Sequence, residues 1–150
     1  MEVSAVRRIA ASPRALYDAW TNPAQVERWF AFIPGTTPRV TCEPTLGGAF
    51  QFDLVTPRGQ VYVHRGEYLQ LAPPVRIEKT WTSDSVDAGI MTIAFADAGD
   101  GATDVELRLV IHQLRAVLAR HMDHARLARF VEHTVKTLLD RCEAYLAGSL

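Results

Sequence analysis

The side chains able to do chemistry in this sequence are few and scattered. His121, Asp123, His124 and His133 fall close together, and histidines three apart on a helix could share one metal ion. A centre of that kind needs a third ligand at fixed spacing, as in His-Glu-x-x-His, and the sequence offers none; no metal is expected. His64 and His112 lie on strand-like runs at the parity opposite Val63 and Ile111. An imidazole there could hydrogen-bond a ligand if that face turned inward, but the neighbouring valine and isoleucine place both rings on the solvent side. Asp53, Glu67 and Glu78 could transfer protons, although strand carboxylates are as a rule solvated. Cys42 and Cys142 are too far apart in sequence for a metal knuckle or a disulfide framework. Both are expected to be reduced and inert. No Gly-x-Ser-x-Gly elbow, phosphate-cradling glycine loop or Gly-x-Gly-x-x-Gly occurs. No catalytic residue is assigned and no cofactor is expected.

Apolar rings are the stronger signal. Trp29, Phe30 and Phe32 form a tight group that either rims an opening or fastens a short helix to its neighbours. Phe50, Phe52, Trp81, Leu107, Leu109, Phe130, Val131, Thr134 and Leu138 share facing by period, and they either line a cavity or fill a core.

The elements that must position them follow from pattern and punctuation. Val3 to Ala11 reads as a strand, closed by Ser12-Pro13, where Ser12 can cap a helix and Pro13 suits its first position. That helix runs to about Trp20. Asn22-Pro23-Ala24-Gln25 repeats the device as a capping box, Gln25 reaching back, and opens a second short helix through Glu27 and Trp29. From Arg39 to His112, turn signals at Gly47-Gly48, Pro57-Arg58-Gly59, Pro73-Pro74, Asp87-Ala88-Gly89 and Asp97 to Gly101 separate short β-rich runs. Spacing of this kind predicts an antiparallel meander. Phe50/Phe52/Leu54, Val75/Ile77/Trp81, Met91/Ile93/Phe95 and Val105/Leu107/Leu109/Ile111 recur at period two and give the sheet one apolar face. Beyond Gln113 the period becomes helical, with Leu127, Phe130, Val131, Thr134, Leu138, Cys142 and Tyr145 on one stripe. A helix from about Arg120 to Ala147 would be ~40 Å long and could cross seven strands, ~34 Å of sheet, without covering it. A hollow beside the helix is the functional suggestion.

Composition removes several function classes. A net charge of −1, with 48% hydrophobic and 22% charged residues, creates no field that would attract nucleic acid or anionic lipid. Glu2, Arg7 and Arg8 interrupt the N-terminal run, so no signal peptide is expected, and no stretch reaches the ~20 apolar residues of a membrane span. One domain over 1–150, soluble and cytoplasmic, is the expectation.

The order of these motifs resembles the START-like, or SRPBCC, superfamily of helix-grip folds that includes the birch-pollen allergen. More narrowly it resembles the branch of the activator of the heat-shock-protein-ninety ATPase. The residues that carry this are Ala11-Ser12-Pro13 with Leu16 to Trp20, Thr21-Asn22-Pro23 with Arg28-Trp29-Phe30, Leu46 to Phe52, Gly66-Glu67-Tyr68-Leu69, Pro73-Pro74 and Thr80-Trp81. The chain departs from the branch at His133-Thr134-Val135, where a Gly-Trp pair is common. The resemblance implies an α+β helix-grip fold: a curved antiparallel sheet of about seven strands, two short helices after the first strand, and a long C-terminal helix across the sheet. It also implies a cavity between sheet and helix that holds an apolar small molecule, lipid-like or polyketide-like. Three functions remain open: binding for transport, sensing or sequestration; a polyketide cyclase or dehydratase reaction in the same cavity; and regulation of a chaperone partner. Fold alone does not choose among them. Either a monomer or a homodimer fits the sequence.

Overall fold

Alternation in the sequence becomes a sheet wherever the turn residues let the chain reverse. The computed structural model describes residues 1–150. Strand β1 (Glu2–Ile9) leads into α1 (Pro13–Thr21) and α2 (Pro23–Trp29). Strands β2 (Thr37–Cys42), β3 (Ala49–Val55), β4 (Val61–Ala72), β5 (Arg76–Thr80), β6 (Thr82–Ser83), β7 (Val86–Gly99) and β8 (Ala102–Leu114) follow, then α3 (Ala116–His121) and α4 (His124–Leu146). The antiparallel sheet runs β1-β8-β7-β5-β4-β3-β2, and the two-residue β6 pairs with β4 off that path. This is an α+β helix-grip fold, its seven-strand path supplemented by β6.

Both short helices start as the sequence predicts. Ser12 Oγ accepts from the Ala15 N–H at 3.1 Å and Asn22 Oδ1 accepts from the Ala24 N–H at 3.0 Å, each satisfying an orphan donor of a first turn. Gln25 does not complete a capping box. The Asn22 N–H already donates to the Asp18 carbonyl at the end of α1, so Gln25 turns away and its Oε1 accepts from Tyr145 Oη at 3.2 Å, tying α2 to α4.

The C-terminal helix is shorter than its apolar period suggests. Met122 and Asp123 break it, and Asp123 caps α4 by accepting from the Arg126 N–H at 2.7 Å. Its buried stripe is Leu127, Val131, Val135, Leu138, Leu139 and Cys142. Phe130 is 53% exposed and Thr134 and Tyr145 are half-buried. The helix packs chiefly on β1, with β8 and α2 beside it, so the line of contact is rotated from the one that the outermost apolar residues define. No helix is long and apolar enough to cross a membrane.

One cluster of 29 buried apolar residues fills the space between sheet and helices. The expected inward faces of β3, β7 and β8 all contribute to it, while Val75, placed inward by period, lies before β5 in a turn and is 57% exposed. Gly66 sets the shape of the middle of the sheet. A Cβ there would stand 2.1 Å from the Thr80 carbonyl oxygen, so only glycine lets the end of β5 press onto β4.

Candidate functional site

α4 covers the β1 side of the sheet and leaves an opening over the β4–β6–β7 corner. A cavity of about 370 Å³ lies there. Its walls come from the segment after α2 (Phe32, Ile33, Pro34), from β4 (Tyr62, His64), from the chain around β6 (Trp81, Ser83, Asp84, Ser85, Val86), from β8 (Leu109, Ile111) and from α4 (Phe130, Val131, His133, Thr134).

Six of the twelve residues expected at a cavity therefore meet around this one: Phe32, Trp81, Leu109, Phe130, Val131 and Thr134. Phe130 stands at the mouth, which is why it is half exposed on an otherwise apolar stripe. The other six, Trp29, Phe30, Phe50, Phe52, Leu107 and Leu138, are buried in the core. Of these, Phe30 backs the wall directly, with its ring centroid 5.9 Å from His64 and 6.2 Å from Trp81. Trp29 serves α1 and α4 instead: its indole N–H donates to the Ala19 carbonyl at 2.9 Å, and its own carbonyl accepts from Arg141 Nε at 2.7 Å.

His64 faces the cavity and not solvent, contrary to the parity argument. Residues directly opposite in an antiparallel pair share a face, and β4 places His64 against the inward Phe52, and Tyr62 against the inward Leu54. The hairpin register decides the matter, and the valines at 61 and 63 misled. The ring is 6% exposed and its Nδ1 lies 3.1 Å from the Phe52 carbonyl oxygen. A carbonyl only accepts, so Nδ1 carries the proton and Nε2 presents a lone pair. Burial holds the ring below the ordinary histidine pKa, opposed by the bond to Phe52 and by Asp84 and Asp53. The imidazole is thus a neutral hydrogen-bond acceptor in a largely apolar cavity. His112 is exposed, as parity predicts.

The remaining candidates are dispersed. His121, His124 and His133 are exposed and Asp123 is the α4 cap; no three His, Cys, Asp or Glu side chains are grouped to hold a metal ion. Glu67 is exposed, Asp53 accepts from Gln51, and Glu78 pairs with Arg76. Both cysteines are free; Cys142 is buried and its thiol is pushed up to about 12 by desolvation.

Lys79 escaped the sequence reading. It stands between Ile77 and Trp81 on the inward parity of β5 and opposite Tyr68 and Met91, so the signal was a cation in the middle of an apolar period. The residue is fully buried, and no polar atom partners Nζ. Five rings surround it: Phe50 at 4.4 Å, Phe52 at 4.7 Å, Trp20 at 5.7 Å, Trp81 at 5.8 Å and Tyr68 at 5.9 Å to the centroid. Desolvation brings its pKa from 10.5 to about 7, with a small opposing pull from Cys42.

Residues 10–147 match the family model described as Activator of Hsp90 ATPase homolog 1-like protein. The chain belongs to that family. Solved structures agree with the membership in fold. A Chromobacterium violaceum protein is 22% identical over 95% of this chain and 94% of that one, with a TM-score of 0.77. An AHSA1-like protein from Aeromonas hydrophila is 19% identical over 99% and 94%, with a TM-score of 0.75. An HSP90 activator from Plasmodium falciparum is 18% identical over 98% and 96%, with a TM-score of 0.70. No curated protein gives a significant match. Besides Phe130 and Val131, α4 brings His133 and Thr134 to the cavity.

Proposed function

We propose that this family member binds a compact, largely apolar small molecule in the cavity between the sheet and α4, oriented by a hydrogen bond to His64 Nε2. The observation that carries the reading is the coincidence, in one hollow, of apolar walls with a single buried neutral imidazole. A volume near 370 Å³ lies at the low end of the ~300–1,000 Å³ typical of ligand pockets, which suits one or two fused rings better than a long acyl chain. Because the imidazole accepts, the preferred ligand carries a hydroxyl or N–H donor. Two free cysteines suit a cytoplasmic setting. Regulation of a chaperone, the activity in the family's name, would call for a surface patch and no cavity; the hollow favours the ligand.

2-Naphthol and its methyl ether, which lacks the donor, provide the test. Trp81 lines the cavity, so tryptophan emission reports occupancy. The naphthol is expected to quench it and raise Tm. His64→Leu is expected to weaken naphthol about tenfold, the ~1.5 kcal/mol of one net hydrogen bond, and to leave the ether unchanged. Absence of quenching and of any Tm shift with both compounds, and with a wider panel of aromatic compounds, sinks the reading; equal losses for naphthol and ether remove His64 from it.

A further inference from the structure

The side chains Trp20, Tyr68 and Lys79 hold the three buried side-chain polar atoms that have no hydrogen-bond partner, and they meet in one box. Unsatisfied buried groups are rare and call for an explanation. Lysine is also rare in this chain: it occurs only at positions 79 and 136, against 14 arginines. Arginine cannot shed its proton in a protein, whereas a desolvated lysine does and becomes a nucleophile. Of the five rings around Nζ, Trp81 alone also lines the cavity. Its ring centroid lies 5.8 Å from Nζ and 5.3 Å from the His64 ring. Trp81 thus borders both the amine and the ligand cavity, and Lys79 stands near the end of β5, just before the chain passes into β6.

We propose that Lys79 captures an aldehyde or unhindered ketone with an apolar body from the cavity as an imine, the Trp81 ring swinging aside to admit the carbonyl. This rests on the reading of the cavity as a small-molecule site. The Nζ lone pair attacks the carbonyl carbon, forming the C–N bond and sending the C=O π electrons to oxygen. That oxygen leaves as water with the two protons the nitrogen gives up, and C=N remains; nothing is oxidised or reduced. The Tyr68 ring borders the same box, its centroid 5.9 Å from Nζ, and its hydroxyl, held protonated by burial, would lend the departing oxygen a proton and recover one from nitrogen. The aromatic walls exclude the bulk water that would hydrolyse the product.

Benzaldehyde, followed by borohydride and peptide mass spectrometry, tests this, with benzyl alcohol as the non-reacting occupant. The expected result is one benzyl group on Lys79 ahead of Lys136, and loss of that adduct when benzyl alcohol competes. Lys79→Met, its fold checked by thermal melting, should lose only the adduct at 79. If benzyl alcohol occupies the cavity and Lys79 stays unlabelled, the imine is overturned and the cavity reading stands. If neither compound, nor 2-naphthol, its methyl ether and the wider panel, changes tryptophan emission or Tm, and Lys79 stays unlabelled, both fall. Labelling of Lys79 that Val131→Trp, which fills the cavity, leaves unchanged would show another route to the amine and also overturn the proposal.

Discussion

Replacing Lys79 by methionine keeps the length and apolar stem of the side chain and removes only the amine. The folded pKa of about 7 lies below the 10.5 of an exposed lysine, so between these values the unfolded chain holds more protons than the folded one. Stability contributed by this residue therefore rises with pH across that window and is lost as pH falls toward 7. With ~1.4 kcal/mol per pKa unit, the burden of the amine is about 4 kcal/mol at pH 7, about 2 at pH 9 and under about 1 at pH 10. Phe50 and Phe52 at 4.4 and 4.7 Å return ~1–2 kcal/mol to an ammonium by cation–π attraction. The titratable groups coupled to the amine are the Cys42 thiol of β2 and the His64 imidazole of β4, with the Tyr68 hydroxyl of β4 in the same box. Urea unfolding of both chains at pH 7, 9 and 10 measures the difference, since titrations not coupled to Lys79 cancel and those of His64 and Cys42 enter only through their coupling to it. Lys79→Met is expected to be the more stable by up to about 4 kcal/mol at pH 7, the gap closing by roughly 3 kcal/mol at pH 10. Parallel curves would refute the reasoning, because they would mean that the rings hold the charged amine as well as water does.

Two further substitutions address the sheet and the mouth of the cavity. Gly66→Ala drives a Cβ against the Thr80 carbonyl at 2.1 Å and its hydroxyl at 2.6 Å; that hydroxyl also accepts from the Glu67 N–H at 2.8 Å. A loss of about 1–3 kcal/mol or more is expected, read as a lower Tm by calorimetry, and an unchanged Tm would show that β4 and β5 part freely. Phe130→Ala removes a ring that is 53% exposed, so stability should change by no more than about 0.5 kcal/mol while 2-naphthol affinity falls. Loss of stability without loss of affinity would return Phe130 to the core.

Sequence pattern alone determined what each element does within itself. Ser12-Pro13 and Asn22-Pro23 specify two helix starts by capping chemistry, and the period-two runs at Phe50/Phe52/Leu54, Met91/Ile93/Phe95 and Val105 to Ile111 specify which side of β3, β7 and β8 is apolar, because alternation is a property of one strand's backbone. The motif order carried the family resemblance that the family model then showed. Tertiary structure decided whatever depends on which neighbour an element meets. β4 is apolar on both parities near Val61 to Val63, so only its register against β3 turned His64 inward. α4 carries apolar residues on a broad face, so only its seat on β1, β8 and α2 separated the buried Val135 and Leu139 from Phe130 and Thr134 at the cavity. Lys79 shows both levels at once: its parity was legible from Ile77 and Trp81, but its box is assembled from α1, β3, β4 and the end of β5. Periodicity fixes a direction in space for each side chain, and the free energy of burying a charge there depends on atoms that other parts of the chain deliver.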